Sequence, residues 1–325
     1  MKKWIVRILG GLLGLVALAV IGVLVKFYVL SPKTRAAADM RAPTTPEAIA
    51  RGKYLTHNVA ACVGCHSPVQ EGVPGEPPVE GKLGAGRDFG ALPGFPGRLR
   101  APNITPDGET GLGKWTDGEI VRAMREGVSR DGRPLFPQMP FVTYASTLTD
   151  EDALAIVAYL KTLSAVKNDP GRLELSFPVS MFVRAVPKPV EAAAPPPPSP
   201  SDKLARGRWL LAVCSCNDCH DKVNERMQKL PGGALAGGAR FPLPDDKGVA
   251  IASNITSDKA TGIGAYSDDD LRRVFDEGKN KAGRLLYVMP WSYYGGLTRD
   301  DKEALIAALR EVPPIANLVP PSQIK

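Results

Sequence analysis

The sequence predicts an all-α chain in which an N-terminal transmembrane helix precedes two tandem helical domains. Three observations carry that expectation. An uncharged apolar stretch runs from Ile8 to Val25. A series of landmarks occurs twice in the same order along the rest of the chain. Amphipathic runs opened by Ser or Thr and closed by Gly recur in both halves, as helices with caps would. The length, 325 residues, suits about two domains.

The apolar stretch follows Lys2, Lys3 and Arg7 and extends to Leu30 if Lys26 snorkels, which leaves Trp4 and Tyr28 for the two membrane interfaces. The competing reading is a cleaved signal peptide. The small-residue site near Ala36–Ala38 lies well beyond the apolar stretch, and that stretch is longer than a usual signal core, so an uncleaved anchor is expected. Residues 1–30 are assigned to the anchor, 31–46 to a mobile-looking juxtamembrane linker, 47–186 to the first domain, 187–202 to a Pro-rich linker and 203–325 to the second domain. Pro195 to Pro198 lie at the centre of that second linker, which reads as a semi-rigid polyproline spacer or as a strap lying on one domain.

The repeat is detailed. Arg51-Gly-Lys-Tyr-Leu55 returns as Arg206-Gly-Arg-Trp-Leu210, and Cys62-Val-Gly-Cys-His66 returns as Cys216-Asn-Asp-Cys-His220. Asn103-Ile-Thr105, Thr110 to Thr116, Met139-Pro140 and Leu148-Thr149 all have counterparts at Asn254-Ile-Thr256, Thr261 to Ser267, Met289-Pro290 and Leu297-Thr298. A helix is expected from about Pro46 into the first cysteine motif, with a partner from Asp202. Thr116 and Ser267 read as N-caps of helices closed at Gly127 and Gly278, and Thr149 and Thr298 open the last helix of each half. Leu154, Val157, Leu160 and Leu163 give the first of those last helices an apolar face. No sheet is expected.

The chemistry lies in the two C-x-x-C-H motifs. Two thiols three residues apart on a helical turn can bond one porphyrin edge, and the histidine that follows can meet the iron. A zinc site would need further ligands, and a redox dithiol would need no trailing histidine. The chain has only 5 Cys and 3 His, and four cysteines (Cys62, Cys65, Cys216 and Cys219) and two histidines (His66 and His220) belong to the motifs. Two covalently attached c-type haems are expected. Porphyrins would also fill cores in a chain with 6% aromatic residues. Covalent haem attachment places the body outside the cytoplasm.

The sixth iron ligand is sought downstream, where the second half has no spare histidine. Met139 and Met289 sit at matching positions, 73 and 69 residues after their histidines, each before proline and an aromatic residue. Proline biases the preceding residue to extended geometry, so these thioethers are expected to project from loops as ligands. Met124, Met181 and Met227 have no repeat partners and read as core. His57 reads as an exposed or capping histidine, and Cys214 as a small buried residue or, less simply, an intermolecular disulfide partner.

Both halves, over residues 47–165 and 203–312, resemble class I cytochrome c domains. More closely, they resemble the tandem cytochrome c subunits of membrane-bound periplasmic alcohol, aldehyde and gluconate dehydrogenases. The motifs that carry the resemblance are Asn103-Ile-Thr105, Thr110-Gly-Leu-Gly-Lys-Trp115, Arg125-Glu-Gly127, Met139-Pro140, Leu148 to Asp152 and Ala158-Tyr-Leu160, with Tyr266 and Asp276-Glu-Gly278 in the second half. Those subunits usually carry three haems; this chain has two motifs. The resemblance implies that Asn103, Asn254, Trp115 and Tyr266 help to hold haem propionates and edges. Turn and cap roles for the same residues remain open. Arg98 and Arg100 are further candidates for a propionate, with only Lys247 in the matching region of the second half.

The expected function is electron transfer in a periplasmic respiratory chain by a carrier with no active site of its own. It would be a single-pass inner-membrane protein, with its haem domains on the periplasmic side. The donor would be a periplasmic dehydrogenase or a quinol-oxidising complex, and the acceptor a cytochrome-oxidising one. A fixed subunit of a dehydrogenase or oxidase complex is the alternative. A di-haem peroxidase would need a haem with an open distal site and more histidine than the chain has. Nucleic-acid binding is not expected. The formal net charge is +7, but Lys and Arg are dispersed, with no basic run interleaved with aromatics.

Overall fold

The structure is a computed structural model that describes residues 2–92, 94–225, 228–243 and 247–324. Met227 lies outside the described residues. The chain begins with α1 (Lys2–Leu24), which continues through a π turn to Val29. Residues Lys3–Val29 form a helix of mean hydropathy 2.8, long and apolar enough to cross a membrane.

Two helical units follow with the same order of elements. The first contains α2 (Pro46–Tyr54), the short α3 (Cys62–Cys65), α4 (Asp117–Glu126), α5 (Phe141–Thr147), α6 (Asp150–Leu160) and a short α7 (Val179–Phe182). The second contains α8 (Lys203–Val213), α9 (Cys216–His220), α10 (Asp268–Glu277), α11 (Trp291–Tyr294) and α12 (Arg299–Arg310). The caps fall where the sequence places them. Thr116 and Ser267 close full capping boxes with Glu119 and Asp270, and Gly127 (φ 70°) and Gly278 (φ 63°) end those helices in the left-handed conformation that glycine adopts without strain. Thr149 and Thr298 cap α6 and α12. In each unit the first helix crosses the last, α2 on α6 and α8 on α12. An ion pair pins each crossing: a part-buried one from Arg51 to Asp152 at 2.8 Å and a buried one from Arg206 to Asp301 at 2.7 Å.

The all-α expectation is corrected by two small sheets. Strand β1 (Arg87–Gly90) pairs antiparallel with β2 (Gly97–Ala101), and β2 pairs with β3 (Glu174–Leu175). In the second unit β4 (Arg240–Pro242), β5 (Gly248–Ile251) and β6 (Gln323–Ile324) repeat that order. The strands are short and mixed in polarity, and each third strand comes from far along the chain. No alternating run marks them.

Both linkers are also more ordered than expected, and they meet at one buried carboxylate. Arg35 Nη2 donates to Glu126 Oε1 at 2.5 Å and to the Val190 carbonyl at 2.9 Å, while the Val190 amide donates to the same Glu126 oxygen at 3.1 Å. Ala42 N donates to Asp117 Oδ2 at 2.8 Å. Residues 31–46 are thus strapped across α4, and the Pro-rich segment is a strap too, with Ala194 buried and Pro198 accepting from Arg206. The spacer reading fails for a physical reason. Extended backbone with unpaired carbonyls is a ready acceptor for arginine, and that contact leaves no periodic signature in sequence.

The buried apolar side chains of both units form one continuous cluster, from Leu55, Val59 and Ile156 to Leu210, Leu305 and Leu309. Polar contacts cross it in a near-symmetric pattern. Tyr54 of the first unit donates to Asp301 Oδ2 of the second at 2.5 Å, and its repeat counterpart Trp209 donates Nε1–H to the Thr147 carbonyl of the first at 2.9 Å. Asn58 Nδ2 donates to the Tyr293 carbonyl at 2.7 Å, and Ser292 Oγ donates to the Gly75 carbonyl at 2.6 Å.

Candidate haem sites

Each C-x-x-C-H motif is a short helical turn entered through a left-handed residue, Ala61 (φ 46°) or Ser215 (φ 56°). That kink turns the chain out of α2 or α8 and projects the cysteines and histidine from one side of a tight turn. The imidazoles are oriented alike. Nδ1 of His66 lies 2.7 Å from the Pro102 carbonyl, and Nδ1 of His220 lies 2.8 Å from the Ser253 carbonyl. A carbonyl only accepts, so Nδ1 carries the proton and Nε2 is left with its lone pair, the form a metal-binding histidine takes. Burial lowers both imidazole pKa values and favours that neutral form, although the carbonyl bonds act the other way.

The sheets explain how those carbonyls are placed. Strand β2 ends at Ala101, directly before Pro102, and β5 ends at Ile251, two residues before Ser253. Asn103 and Asn254 fix the next turn. Asn103 Nδ2 donates to Thr110 Oγ1 (3.0 Å), to the Val166 carbonyl (2.7 Å) and to the Asn168 carbonyl (3.2 Å), while Oδ1 accepts from Thr105 N and Oγ1. Asn254 repeats this with Thr261, Ile315, Asn317 and Thr256. Both amides bond within the protein, in the turn role that stands beside the propionate contact implied by resemblance. They hold the loop whose carbonyl orients the histidine. Arg98 and Arg100 are also committed elsewhere: both pair with Asp88, and Arg100 also pairs with Glu174 at 2.6 Å, across the sheet. Lys247 lies against Gly72, in a crevice between the two units.

Met139 and Met289 are half-buried against the core, each on a loop directly before α5 or α11. Trp115 and Tyr266 pack against the same core, and the ammonium of Lys281 lies 5.7 Å from the Tyr266 ring centre. Two residues went unnoticed in the sequence. Tyr144 OH donates to the Ala60 carbonyl at 3.2 Å, and Tyr294 OH to the Cys214 carbonyl at 2.8 Å. Each ties the helix after a methionine to the turn before a cysteine pair. Their signal was available: both stand five residues after the repeated methionine.

His57 is part-buried in a π turn (Leu55–Val59), with Nε2 2.6 Å from Tyr159 OH. It is therefore a bonded histidine, not an exposed one. Cys214 is buried, as its small-residue reading requires.

The cysteines narrow the chemistry. None of the five is paired in a disulfide. Burial, then the neighbouring thiol, pushes Cys62 and Cys216 up to about 12, and burial with Asp218 pushes Cys219 to about 11. A redox dithiol works through a depressed thiol pKa, which is the opposite arrangement. Among the described residues no group of three or more His, Cys, Asp or Glu side chains is placed to hold a metal ion. A pair of thiols on one turn, partly open to solvent, beside an imidazole whose Nδ1 is committed to a carbonyl fits a porphyrin bound through two thioethers and an axial histidine. This defines the class: c-type haem proteins.

Comparison with known proteins agrees. Residues 49–164 match the cytochrome c family, so this part of the chain is a cytochrome c domain and implies covalently bound c-type haem. The chain is 31% identical over 244 residues to the gluconate 2-dehydrogenase cytochrome c subunit of Pantoea cypripedii, an alignment that covers 71% of this chain and 51% of the relative. It is 30% identical over 275 residues to the fructose dehydrogenase cytochrome subunit of Gluconobacter japonicus, covering 82% and 52%. With the diheme cytochrome c-type protein of Cereibacter sphaeroides it shares 27% over 227 residues, covering 67% and 73%. The chain spans about half the length of the first two relatives. The gluconate, alcohol and fructose dehydrogenase relatives are named as cytochrome subunits of those dehydrogenases.

Proposed function

We propose that the chain is a membrane-anchored di-haem cytochrome c, built as two tandem class I domains that hold one haem each. His66 and Met139 would ligate the first iron and His220 and Met289 the second, with thioethers at Cys62, Cys65, Cys216 and Cys219. The observation that carries this is the duplicated proximal geometry, in which each motif histidine commits Nδ1 to a backbone carbonyl and keeps Nε2 for the iron. Bound haem supplies a one-electron iron couple, and a thioether ligand raises its potential relative to a second imidazole.

The protein's own contribution is placement. The tyrosines close each pocket, the asparagines set the histidine acceptors, and the shared core fixes the two attachment sites with respect to each other. Tyr293 of the second unit packs on Gly64 inside the first motif: a Cβ at Gly64 would stand 3.2 Å from its ring. The two units therefore act as one rigid relay, which suits internal electron passage without domain motion. The helix Lys3–Val29 would hold this relay at the periplasmic face of the inner membrane. A periplasmic dehydrogenase is the proposed donor and a cytochrome-oxidising complex the acceptor.

The test is haem stoichiometry. Pyridine haemochromogen spectra of the purified full chain, set against protein mass, should show two thioether-linked haems. One haem, or none retained after acid–acetone extraction, would sink the tandem reading. Permanent residence in a dehydrogenase complex is a second reading, favoured by the names of the relatives. Co-purification of a large catalytic subunit in mild detergent would select it.

A further inference from the structure

The apolar helix does not leave the body on a free tether. Among the described residues of Lys3–Val29 only Phe27 is buried, and what buries it is α7 with its flanks. The Phe27 and Phe182 rings meet edge to face with centroids 5.3 Å apart. Arg184 Nε donates to the Phe27 carbonyl at 2.7 Å, and its guanidinium lies 5.3 Å from the Tyr28 ring centre. A cation on the last carbonyls of a helix is favourable in charge and satisfies an acceptor the helix leaves open.

The segment that supplies these contacts is amphipathic and firmly attached. Met181 and Val183 are buried in the body, and Ser176 N donates to the Pro96 carbonyl at 2.8 Å, next to the β2–β3 pairing. Phe177 and Phe182 face outwards, 75% and 53% exposed. Two exposed phenylalanines on one short segment are costly in water.

Their depth is set by the helix. From Trp4 to Tyr28 the helix rises about 36 Å at 1.5 Å per residue, enough to place these two aromatics at either boundary of a hydrocarbon layer about 30 Å thick. Phe182 touches the residue next to Tyr28, so it lies at that boundary, and Arg184 sits at headgroup level beside it.

We propose that residues 176–186 form an interfacial foot that inserts Phe177 and Phe182 into the bilayer surface beside the anchor and so fixes the tilt of the haem-bearing body. This rests on the reading of Lys3–Val29 as a membrane anchor. The bilayer is favoured over a protein partner because the patch is continuous with an apolar helix that is exposed everywhere along Lys3–Val29 but at Phe27.

The test uses the full haem-loaded chain carrying Phe177→Cys, nitroxide-labelled, in vesicles of phosphatidylcholine and phosphatidylglycerol. Leu318→Cys, at a position 82% exposed in the second unit, is the reference. Relaxation by dissolved oxygen is compared with relaxation by a water-soluble nickel chelate, and unchanged Soret spectra certify both variants as folded. The foot requires an oxygen-to-nickel ratio several-fold higher at 177 than at 318. Equal ratios on protein that floats with the vesicles would overturn the foot, leave the anchor standing and free the patch for a protein partner. Failure to float would overturn the anchor, and the foot with it.

Discussion

Gly52→Ala and Gly207→Ala set two physical effects against each other. Both glycines lie inside helices, α2 and α8, where alanine is intrinsically favoured by about 0.8–1 kcal/mol. Both also lie at a helix crossing. A Cβ on Gly52 would stand 1.8 Å from the Ala155 carbonyl oxygen, and one on Gly207 would stand 1.9 Å from that of Ala304. Carbon-to-carbonyl contacts close at about 3.3 Å, so the helices must separate by about 1.5 Å to admit one methyl group. The obstacle is backbone, which cannot rotate away, and Arg51–Asp152 or Arg206–Asp301 beside it resists sliding. Overpacking of this kind costs about 1–3 kcal/mol or more, which exceeds the propensity gain. Each variant should therefore be destabilised by the difference, up to about 2 kcal/mol. Guanidinium titration followed by the Soret band, on the full chain in detergent, reads this directly. A variant as stable as the parent, or more so, would show that the crossings are looser than the structure has them and that the reasoning is wrong.

The remaining expectations concern the ligands and the interface. Met139→Ala and Met289→Ala should each leave two covalent haems in place but convert one to a high-spin or exogenously ligated form of lower potential, read by absorption spectra and redox titration; parent spectra in both variants would refute the assignment. Asp301 is buried, which by itself raises its pKa, yet hydrogen bonds from Arg206 and Tyr54 leave it below the ordinary carboxylate value. A depressed folded-state pKa gives stability that is full above the unfolded value of about 3.9 and is lost as pH falls through the folded one. The denaturation midpoint should drop below about pH 4, with a shallower drop in Asp301→Asn. At neutral pH that variant leaves Arg206 buried and uncompensated, at a cost of about 3–5 kcal/mol. Trp209→Phe, which removes the donor to Thr147, should cost about 0.5–1.5 kcal/mol in chemical denaturation.

What could be read from sequence was whatever chemistry or backbone geometry fixes locally. The haem motifs need particular atoms at particular spacings, and the caps need an oxygen or a positive φ. Thr116, Ser267, Thr149, Thr298, Gly127 and Gly278 accordingly stand where expected. The features that escaped depend on chain segments meeting from afar. Strand β3 reaches β2 from some seventy positions downstream, and its two residues carry no pattern. Glu126 looked like part of a family triplet, yet it is the point on which two straps converge. Asn103 and Asn254 were singled out through a resemblance, as donors to propionates; that their amides bond carbonyls of the segment after the last helix is something spacing cannot reveal.

One discrepancy inside the repeat was legible and shows how function constrains the fold. Six residues separate Leu55 from Cys62, but only five separate Leu210 from Cys216. The landmarks on either side are fixed, because Arg51 and Arg206 must meet the aspartates of the last helix while the cysteines must start their turn in register with the histidine acceptor. The extra residue has to be absorbed between them. In the second unit α8 runs as a regular helix to Val213; in the first, Leu55–Val59 widens into a π turn, which is how a helix takes one additional residue without losing its ends. The widened turn carries His57, bonded to Tyr159, and Asn58, which reaches the Tyr293 carbonyl across the interface. The insertion thus gives the first unit a polar arm toward the second while leaving the attachment geometry of both unchanged. Asn58→Ala should loosen the coupling between units with no change in either haem spectrum. A spectral change without loss of coupling would place the π turn in the haem pocket and not in the interface.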